Sequence, residues 1–379
     1  MKLTDVVNRI NGNVDRFTTD LEYYIGGEHF ESRELEISNK GLIKPNLNIL
    51  GFKFHFAFQE RDVIFMARNP HLRKAGMVFF SGLCSDASYI LRSKDEKILT
   101  QEYLAVMLQS DHFWDYCEAH KVGSVNFAIN WKTMANYEFD LPSLEKQNEI
   151  SKKVWAAYRL KKSYKKLIEA TDEMVKSQFI EMFWGGKYTM KKLRGHIEVL
   201  RGVSYKLSDV HEDLSDNTSI VLRSNNIDGG QVNFDDLVYV DSERVSEHQV
   251  LNAGDIVMCG SNGSKKLVGK AALLNETPRE NTSFGAFCLG IRCKSSIIPE
   301  YLATYFQTSL YRDKIEELGS GSNILNIKPD HIYDLEIPIP SLGEQETFVL
   351  IVKQADKSKF ELRKSIEAID AVIKSLING

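Results

Sequence analysis

Two long segments of the chain carry apolar residues at alternating steps of four and three. In the later one, Phe348, Val352, Ala355, Leu362, Ile366, Ile369, Ile373 and Leu376 fall on this pattern, and Lys359 fills its one gap. Moved back by 198 positions (348 − 150), the same frame gives Ile150, Val154, Ala157, Lys161, Tyr164, Ile168, Thr171, Val175 and Gln178. Such spacing is a heptad seam and predicts two long helices that pair along it. A lysine stands at the same step in both copies, a polar entry of the kind that fixes register at some cost in stability. The plainer alternative is that each helix packs only on its own domain.

Both helices are announced by one phrase. EFDLPSLEKQ (138–147) and EIPIPSLGEQ (336–345) share Pro-Ser-Leu-x-x-Gln, and each precedes some 35 residues without proline. The residue before proline avoids the helical region, so Leu141-Pro142 and Pro338-Ile339-Pro340 read as extended linkers. Ser143 and Ser341 stand at N-cap positions; Glu344 completes a capping box in the second copy, whereas Lys146 does not in the first. Upstream of each phrase, about 140 residues alternate short apolar strands (62–66 and 255–258) with Gly/Asn-rich turns such as NIDGG at 226–230.

Other stretches recur in the same order. KLTDVVNRING (2–12) returns as KLRGHIEVLRG (192–202), and EYLAVMLQS (102–110) as EYLATYFQT (300–308). RDVIFMARNPHLRKAG (61–76) aligns with GDIVMCGSNGSKKLVG (254–269), matching Asp62 with Asp255, Asn69 with Asn262, Arg73 with Lys266 and Gly76 with Gly269. GSVNFAINWK (123–132) aligns with GSGSNILNIK (319–328). Five matches in register predict a duplicated, α+β chain: a mixed domain over 1–142, a helix over 143–185, a second mixed domain over 186–340 and a helix over 341–379. If each domain's ends lie close together, the helices run antiparallel, and a 35-residue rod holds the domains roughly 50 Å apart.

Composition narrows the function. With 379 residues, 43% apolar, the chain can bury two ordinary cores. A formal charge of −4 means that any nucleic-acid site is a local patch. Five scattered cysteines form no CxxC pair, which fits reduced thiols rather than a disulfide framework or zinc ribbon. The N-terminus lacks a signal-peptide core and no apolar run is long enough for a membrane span, so a soluble cytoplasmic protein is expected.

The twice-written Pro-Ser-Leu-x-x-Gln phrase, GDIVM followed by SNGSKKLVGKAAL, and RDVIFMARNPHLRKAG together resemble the specificity (S) subunits of type I restriction-modification systems, over essentially the whole chain. The resemblance implies two target recognition domains separated by two conserved helices in an antiparallel coiled coil, with pseudo-two-fold symmetry. It implies a non-catalytic subunit that reads both halves of a split, asymmetric sequence in double-stranded DNA. It also implies docking of two adenine-methylating M subunits and of translocating, DNA-cutting R subunits. By the same resemblance S-adenosylmethionine, ATP and Mg belong to those partners, and this chain holds no cofactor and no metal. S-like subunits of type IIB-like systems, which cut on both sides of their site, are an alternative.

The loops after the 62–66 and 255–258 strands are the candidate DNA-reading surfaces. Arg68, Asn69, Arg73 and Lys74 lie in the first, with His71 between them; Ser261, Asn262, Lys265 and Lys266 lie in the second, with Ser264. Arginine and lysine suit guanine edges and phosphate, and asparagine suits adenine. The bland alternative is a solvated turn whose asparagines satisfy backbone groups. Ser320 and Asn323, in the Gly/Ser stretch before the end of the second domain, are candidate phosphate contacts. The run 151–166 holds seven basic residues and no acidic one; it is expected to be mostly a solvated or partner-facing flank, with Trp155 and Tyr158 exposed beside it.

Catalysis by this chain is not expected. Asn69-Pro70-His71-Leu72 lacks the second proline and the aromatic of an adenine-methyltransferase loop, GAFCLG (285–290) has the wrong spacing for its cofactor loop, and no P-loop is present. The remaining rival is a coiled-coil scaffold that does not read DNA.

Overall fold

The computed structural model describes residues 1–124, 127–318 and 326–379; Ser320 and Asn323 lie outside them. The chain divides into two units. One comprises Met1–Lys166 and Leu362–Gly379, the other Leu167–Glu361, so each unit takes one domain and part of both long helices.

The first unit contains strands β1 (Val7–Ile10), β2 (Tyr23–Ile25), β3 (Gly41–Leu42) and β4 (Phe54–Phe58). They are followed by β5 (Val63–Met66), β6 (Ala75–Met77), β7 (Gly82–Ser85) and β8 (Ser88–Ser93). Its helices are α1 (Leu3–Val6), α2 (Ile43–Asn46), α3 (Gln101–Met107), α4 (Asp111–Ala119), α5 (Trp131–Ala135) and the start of α6 (Leu144–Phe183). One sheet has the antiparallel order β1-β8-β5-β6, and the other the order β3-β2-β7-β4. Val63, Ile64, Phe65 and Met66 are apolar without alternation, as a strand covered on both faces must be, and all four are buried.

The second unit opens with β9 (Met190–Lys192), β10 (Ile197–Arg201), β11 (Val210–His211), β12 (Thr218–Leu222), β13 (Ile227–Asp228) and β14 (Gln231–Val232). It continues with β15 (Val238–Asp241), β16 (Ile256–Cys259), β17 (Ala271–Leu273), β18 (Ser283–Phe284), β19 (Cys288–Cys293) and β20 (Glu336–Pro338). Helices α7 (Pro299–Tyr305), α8 (Ser309–Leu318), α9 (Pro329–Tyr333) and the start of α10 (Leu342–Asn378) complete it. Its larger sheet runs β10-β19-β16-β17-β14-β13, and its second β11-β15-β12-β18. The expected turn at 226–230 is the β13–β14 hairpin, where Gly229 and Gly230 both take positive φ (54° and 79°).

The β1-β8-β5-β6 order of the first unit thus reappears as β10-β19-β16-β17 in the second, down to individual contacts. Val63 faces Leu91 and Met66 faces Ser88; Ile256 faces Ile291 and Cys259 faces Cys288. Buried Asp62 accepts from Arg92 Nε and Nη2 (2.8 and 2.9 Å), and buried Asp255 does the same with Arg292 (2.9 and 2.6 Å). The second oxygen of each carboxylate also accepts a backbone N–H, from Gln59 and Asn252. These aspartates lock each strand's entry to the neighbouring strand, a bidentate pairing that only arginine supplies.

The recurrent glutamine has an equally concrete task. Gln147 Oε1 accepts from Thr100 N–H (3.0 Å), while Nε2 donates to the carbonyls of Ile98 and Pro142 (both 2.9 Å). Gln345 accepts from Ile298 N–H (2.8 Å) and donates to the carbonyls of Ser296 and Pro340 (3.1 and 3.0 Å). Each ties the first turn of a long helix to the loop that starts a short helix of its own unit. Ser143 Oγ accepts from Lys146 N–H, while Ser341 donates its N–H and hydroxyl to Glu344. Tyr188 and then Ser341 hold the Glu344 carboxyl down at about 2.

Within each unit α6 and α10 pack antiparallel. Every seam position named above is buried or half-buried. In the first unit Ile150, Ile373 and Leu376 join the cluster around Val154; in the second Val175, Phe179 and Phe183 pack with Phe348 and Ala355. Lys161 Nζ lies 2.8 Å from Asp370, and Lys359 Nζ lies 2.5 Å from Asp172. Shifting Lys161 and Asp172 by the same 198 residues gives Lys359 and Asp370, so the two pairs are reciprocal. Burial alone pulls both ammonium groups down, but their acidic partners (Glu34 among those of Lys161, Asp356 among those of Lys359) outweigh it and raise both.

Three expectations need correction. Trp155 and Tyr158 are not exposed: they are 6% and 4% accessible, inside the first unit's core, with Trp155 Nε1 donating to Glu102 O. The helix turns them toward its own domain because 154, 155 and 158 share one face. The alignment of 123–132 with 319–328 slips by two residues, since Ile327 occupies the place of Ile129: Ile129 N–H donates to Ala67 O, and Ile327 N–H to Gly260 O. Gly76 and Gly269 are likewise not equivalent. Met66 N–H donates to Lys74 O and Cys259 N–H to Lys270 O, so Lys74 matches Lys270 and the second loop is longer.

Candidate nucleic-acid interface

In the first unit the chain leaves β5 at Ala67, whose N–H donates to Ala87 O, and Asn69 N–H donates to Phe127 O (2.8 Å). The loop then makes one tight turn, Pro70–Leu72, between two left-handed residues, Asn69 (φ 52°) and Arg73 (φ 49°). Asparagine tolerates that conformation, whereas arginine needs an external hold. Asp111 on α4 provides it, at 2.5 Å from Arg73 Nη1, with Asp115 at 3.4 Å from Nη2. Arg73, and Arg33 beside it, keep the Asp111 carboxyl below the usual range against the opposing effect of burial. Lys74 Nζ donates to Gly27 O (2.9 Å). Arg73 and Lys74 are therefore engaged within the unit, while Arg68 and His71 are exposed and Asn69 is half-buried.

In the second unit Gly260 and Ser261 both donate their N–H to Phe287 O (2.9 Å each). Asn262 Nδ2 donates to Ser224 Oγ (3.3 Å), and its Oδ1 accepts from Ser264 N–H (2.9 Å). Lys265 and Lys266 are exposed. Each loop is thus fixed at its base by one cross-strand ladder and presents amide and cationic groups at its tip. Such a surface can hold phosphate and probe base edges.

Most of the basic run on α6 has partners inside the first unit. Lys162 pairs with Glu36 (2.8 Å), Lys165 with Glu34 (3.0 Å) and Lys153 with Glu149 (2.7 Å). Glu34 is held below its ordinary value: burial would raise it, but Lys165 and Lys161 more than offset that. Glu34 and Glu36 lie far away in sequence, so the run reads from the sequence as a solvated or partner-facing flank, whereas the fold pairs much of it internally.

A residue group that sequence reading passed over stands beside the second loop. The Asn262–Ser224 bond brings the turn Ser224–Asn226 against it, with Arg223 and Asn225. The only hint was an Arg-Ser-Asn-Asn run after an apolar strand, which has no counterpart in the first half.

A family model described as type I restriction modification DNA specificity domain matches residues 1–170 and 189–370. Two relatives are similar over 189 residues: the type I restriction enzyme StySPI specificity subunit of Salmonella potsdam (38% identical) and the EcoKI specificity subunit of Escherichia coli strain K12 (37%). Each match covers 48% of this chain and 40% of the relative, so the chain spans about two-fifths of their length. The MjaVIII specificity subunit of Methanocaldococcus jannaschii is 21% identical over 100% of this chain and 90% of its own. Among solved structures, a chain of a type I R-M system has a TM-score of 0.57 at 16% identity, covering 100% of this chain and 95% of its own. The type I S subunit from M. genitalium has 0.53 at 12%, covering 100% and 94%. These two likenesses establish the fold. Among the described residues no helix is long and apolar enough to cross a membrane. On the matched residues, the chain belongs to the type I restriction modification DNA specificity domain family.

Proposed function

We propose that this chain is the sequence-reading, non-catalytic subunit of a type I restriction-modification complex. The domains 1–142 and 186–340 are duplicates that each read one half of a bipartite, asymmetric site in double-stranded DNA. Helices α6 and α10, as a pseudo-two-fold coiled coil, fix the unspecified spacer between the halves and dock adenine methyltransferase (M) and restriction (R) subunits. S-adenosylmethionine, ATP and Mg act in those partners, in the cytoplasm.

The observation that carries the proposal is one scaffold with two loop chemistries. The same strand order, the same Asp–Arg lock and the same glutamine tether lead to Arg68-Asn69 in one unit and to Asn262 with Lys265 and Lys266 in the other. A fixed frame with variable tips is what reading two different half-sites requires. In this assignment Arg68, Asn69, Ser261, Asn262, Lys265 and Lys266 face DNA, Arg73 and Lys74 shape the first loop, and Ser320 and Asn323 are further candidate contacts.

The test is a methylome. The chain is co-expressed with its genomic-neighbour methyltransferase in a methylation-free host, and modified bases are mapped. A split adenine-methylation motif that disappears when this chain is omitted is the expected result. The same motif without this chain would assign recognition to the partner and leave a scaffold.

A further inference from the structure

Beside the second unit's loop lies a hollow of about 460 Å³ whose lining includes Tyr205, Arg223, Ser224, Asn225 and Phe287. Phe287 is 74% exposed, a large ring left in water next to the loop base that its own carbonyl anchors. Asp236, in left-handed backbone (φ 50°), organises the polar side. Its Oδ2 accepts from Arg223 Nη2 (2.8 Å) and from Asn225 Nδ2 (2.9 Å), and its carbonyl accepts from Arg223 Nη2 as well (3.0 Å).

A carboxylate only accepts, so Asp236 decides which end of the Asn225 amide faces it. One N–H of Nδ2 is taken, which leaves the amide a second N–H and Oδ1 to offer a ligand. One donor next to one acceptor is the pattern that matches N7 and the N6 amino group of adenine. The counterpart position in the first unit differs. There Gly26 N–H donates to His29 Nδ1 as Arg223 N–H donates to Asn226 Oδ1, so Gly26, Gly27 and Glu28 stand where Arg223, Ser224 and Asn225 stand. Ala87 takes the place of Phe287, since Ala67 and Gly260 donate to those carbonyls. Glu28 offers only acceptors at the site where Asn225 offers both kinds.

We propose that Asn225, oriented by Asp236, is a specificity-determining residue that reads an adenine in the second unit's half-site, with Arg223 beside it and Phe287 against the neighbouring base. The assignment rests on the DNA-reading function proposed above. Asp236 is a positioning residue.

Methylomes of the complex with Asn225→Ala, Asp236→Asn and Phe287→Ala test it. With Asn225→Ala, one A·T position in one half-site becomes degenerate, its discrimination falling roughly ten- to hundredfold. The other half-site and the spacer stay unchanged. Asp236→Asn, which lets the amide turn over, relaxes the same position to a smaller extent, and Phe287→Ala relaxes an adjacent one. Asn225 is exposed, so an unchanged melting temperature is expected to confirm folding of that variant. An unchanged motif with Asn225→Ala, or equal loss at every site, overturns the assignment while the wild-type motif still supports the function. A wild-type motif that does not depend on the chain overturns both.

Discussion

The two units share what is buried and differ in what is not. Asp62–Arg92 and Asp255–Arg292, Gln147 and Gln345, and the reciprocal pairs Lys161–Asp370 and Lys359–Asp172 are the same devices twice. Their loops diverge in length, backbone conformation and charge. The first turns tightly around Pro70 and is held by Asp111; the second is longer and leans on Ser224. Where burial makes an unpaired polar group costly, both copies keep one solution. Where side chains end in water, each copy has its own.

The largest expected effects test the shared frame. Gln147→Ala and Gln345→Ala each remove three hydrogen bonds from a buried site and should lower unfolding stability by about 3 kcal/mol. Denaturant melts of both variants should give similar losses; a clear inequality would mean that the tethers are not equivalent. Asp62→Ala and Asp255→Ala should cost about 2 kcal/mol each, less than a fully buried pair because the guanidinium groups reach water. Lys161→Met and Lys359→Met should lower stability by only about 1 kcal/mol, because the acids left behind are partly solvated. Thermal melts of each single variant against wild type check both statements.

The pH response follows from the directions of the shifts. Glu34 and Asp111 in the first unit, and Asp209 in the second, have lowered folded values; for Asp209 the Lys206 backbone N–H is the main cause, ahead of Arg244. Their stabilisation is complete above the ordinary carboxylate values of 4.5 and 3.8 and is lost as pH falls through the lower folded ones. Lys161 and Lys359 have raised values, so their contribution holds below 10.5 and is lost as pH rises through the folded values. Melting temperature against pH should therefore be flat in its middle range and fall at both ends.

The smallest effects separate the loops. Arg68→Ala and Lys266→Ala should leave stability within about 0.5 kcal/mol. Each should reduce the salt slope of DNA binding by about one, measured on the assembled complex. A change in only one of the two would show that the loops do not contribute alike.

Periodicity made the helices and their seam legible, because a heptad needs only local spacing to declare which face is buried. The repeated phrase located both helix starts, and the alternation of short apolar runs located β5 and β16. The partners of polar side chains stayed hidden. Trp155 looked exposed among lysines, and the lysines looked free, because Glu34, Glu36 and Asp370 meet them only after folding. The loop alignment slipped because insertions in exposed turns leave no periodic trace.

The sequence by itself determined the two-part order, the long helices, their seam with its reciprocal lysines, and the family to which the chain belongs. Those follow from short-range patterns and from one half echoing the other. Only the tertiary structure decided that Gln147 and Gln345 are tethers, that Asp111 immobilises Arg73, and that Asp236 sets the face of Asn225. Hydrogen bonds and ion pairs join atoms near in space and distant in sequence, and no local pattern records which atoms will meet.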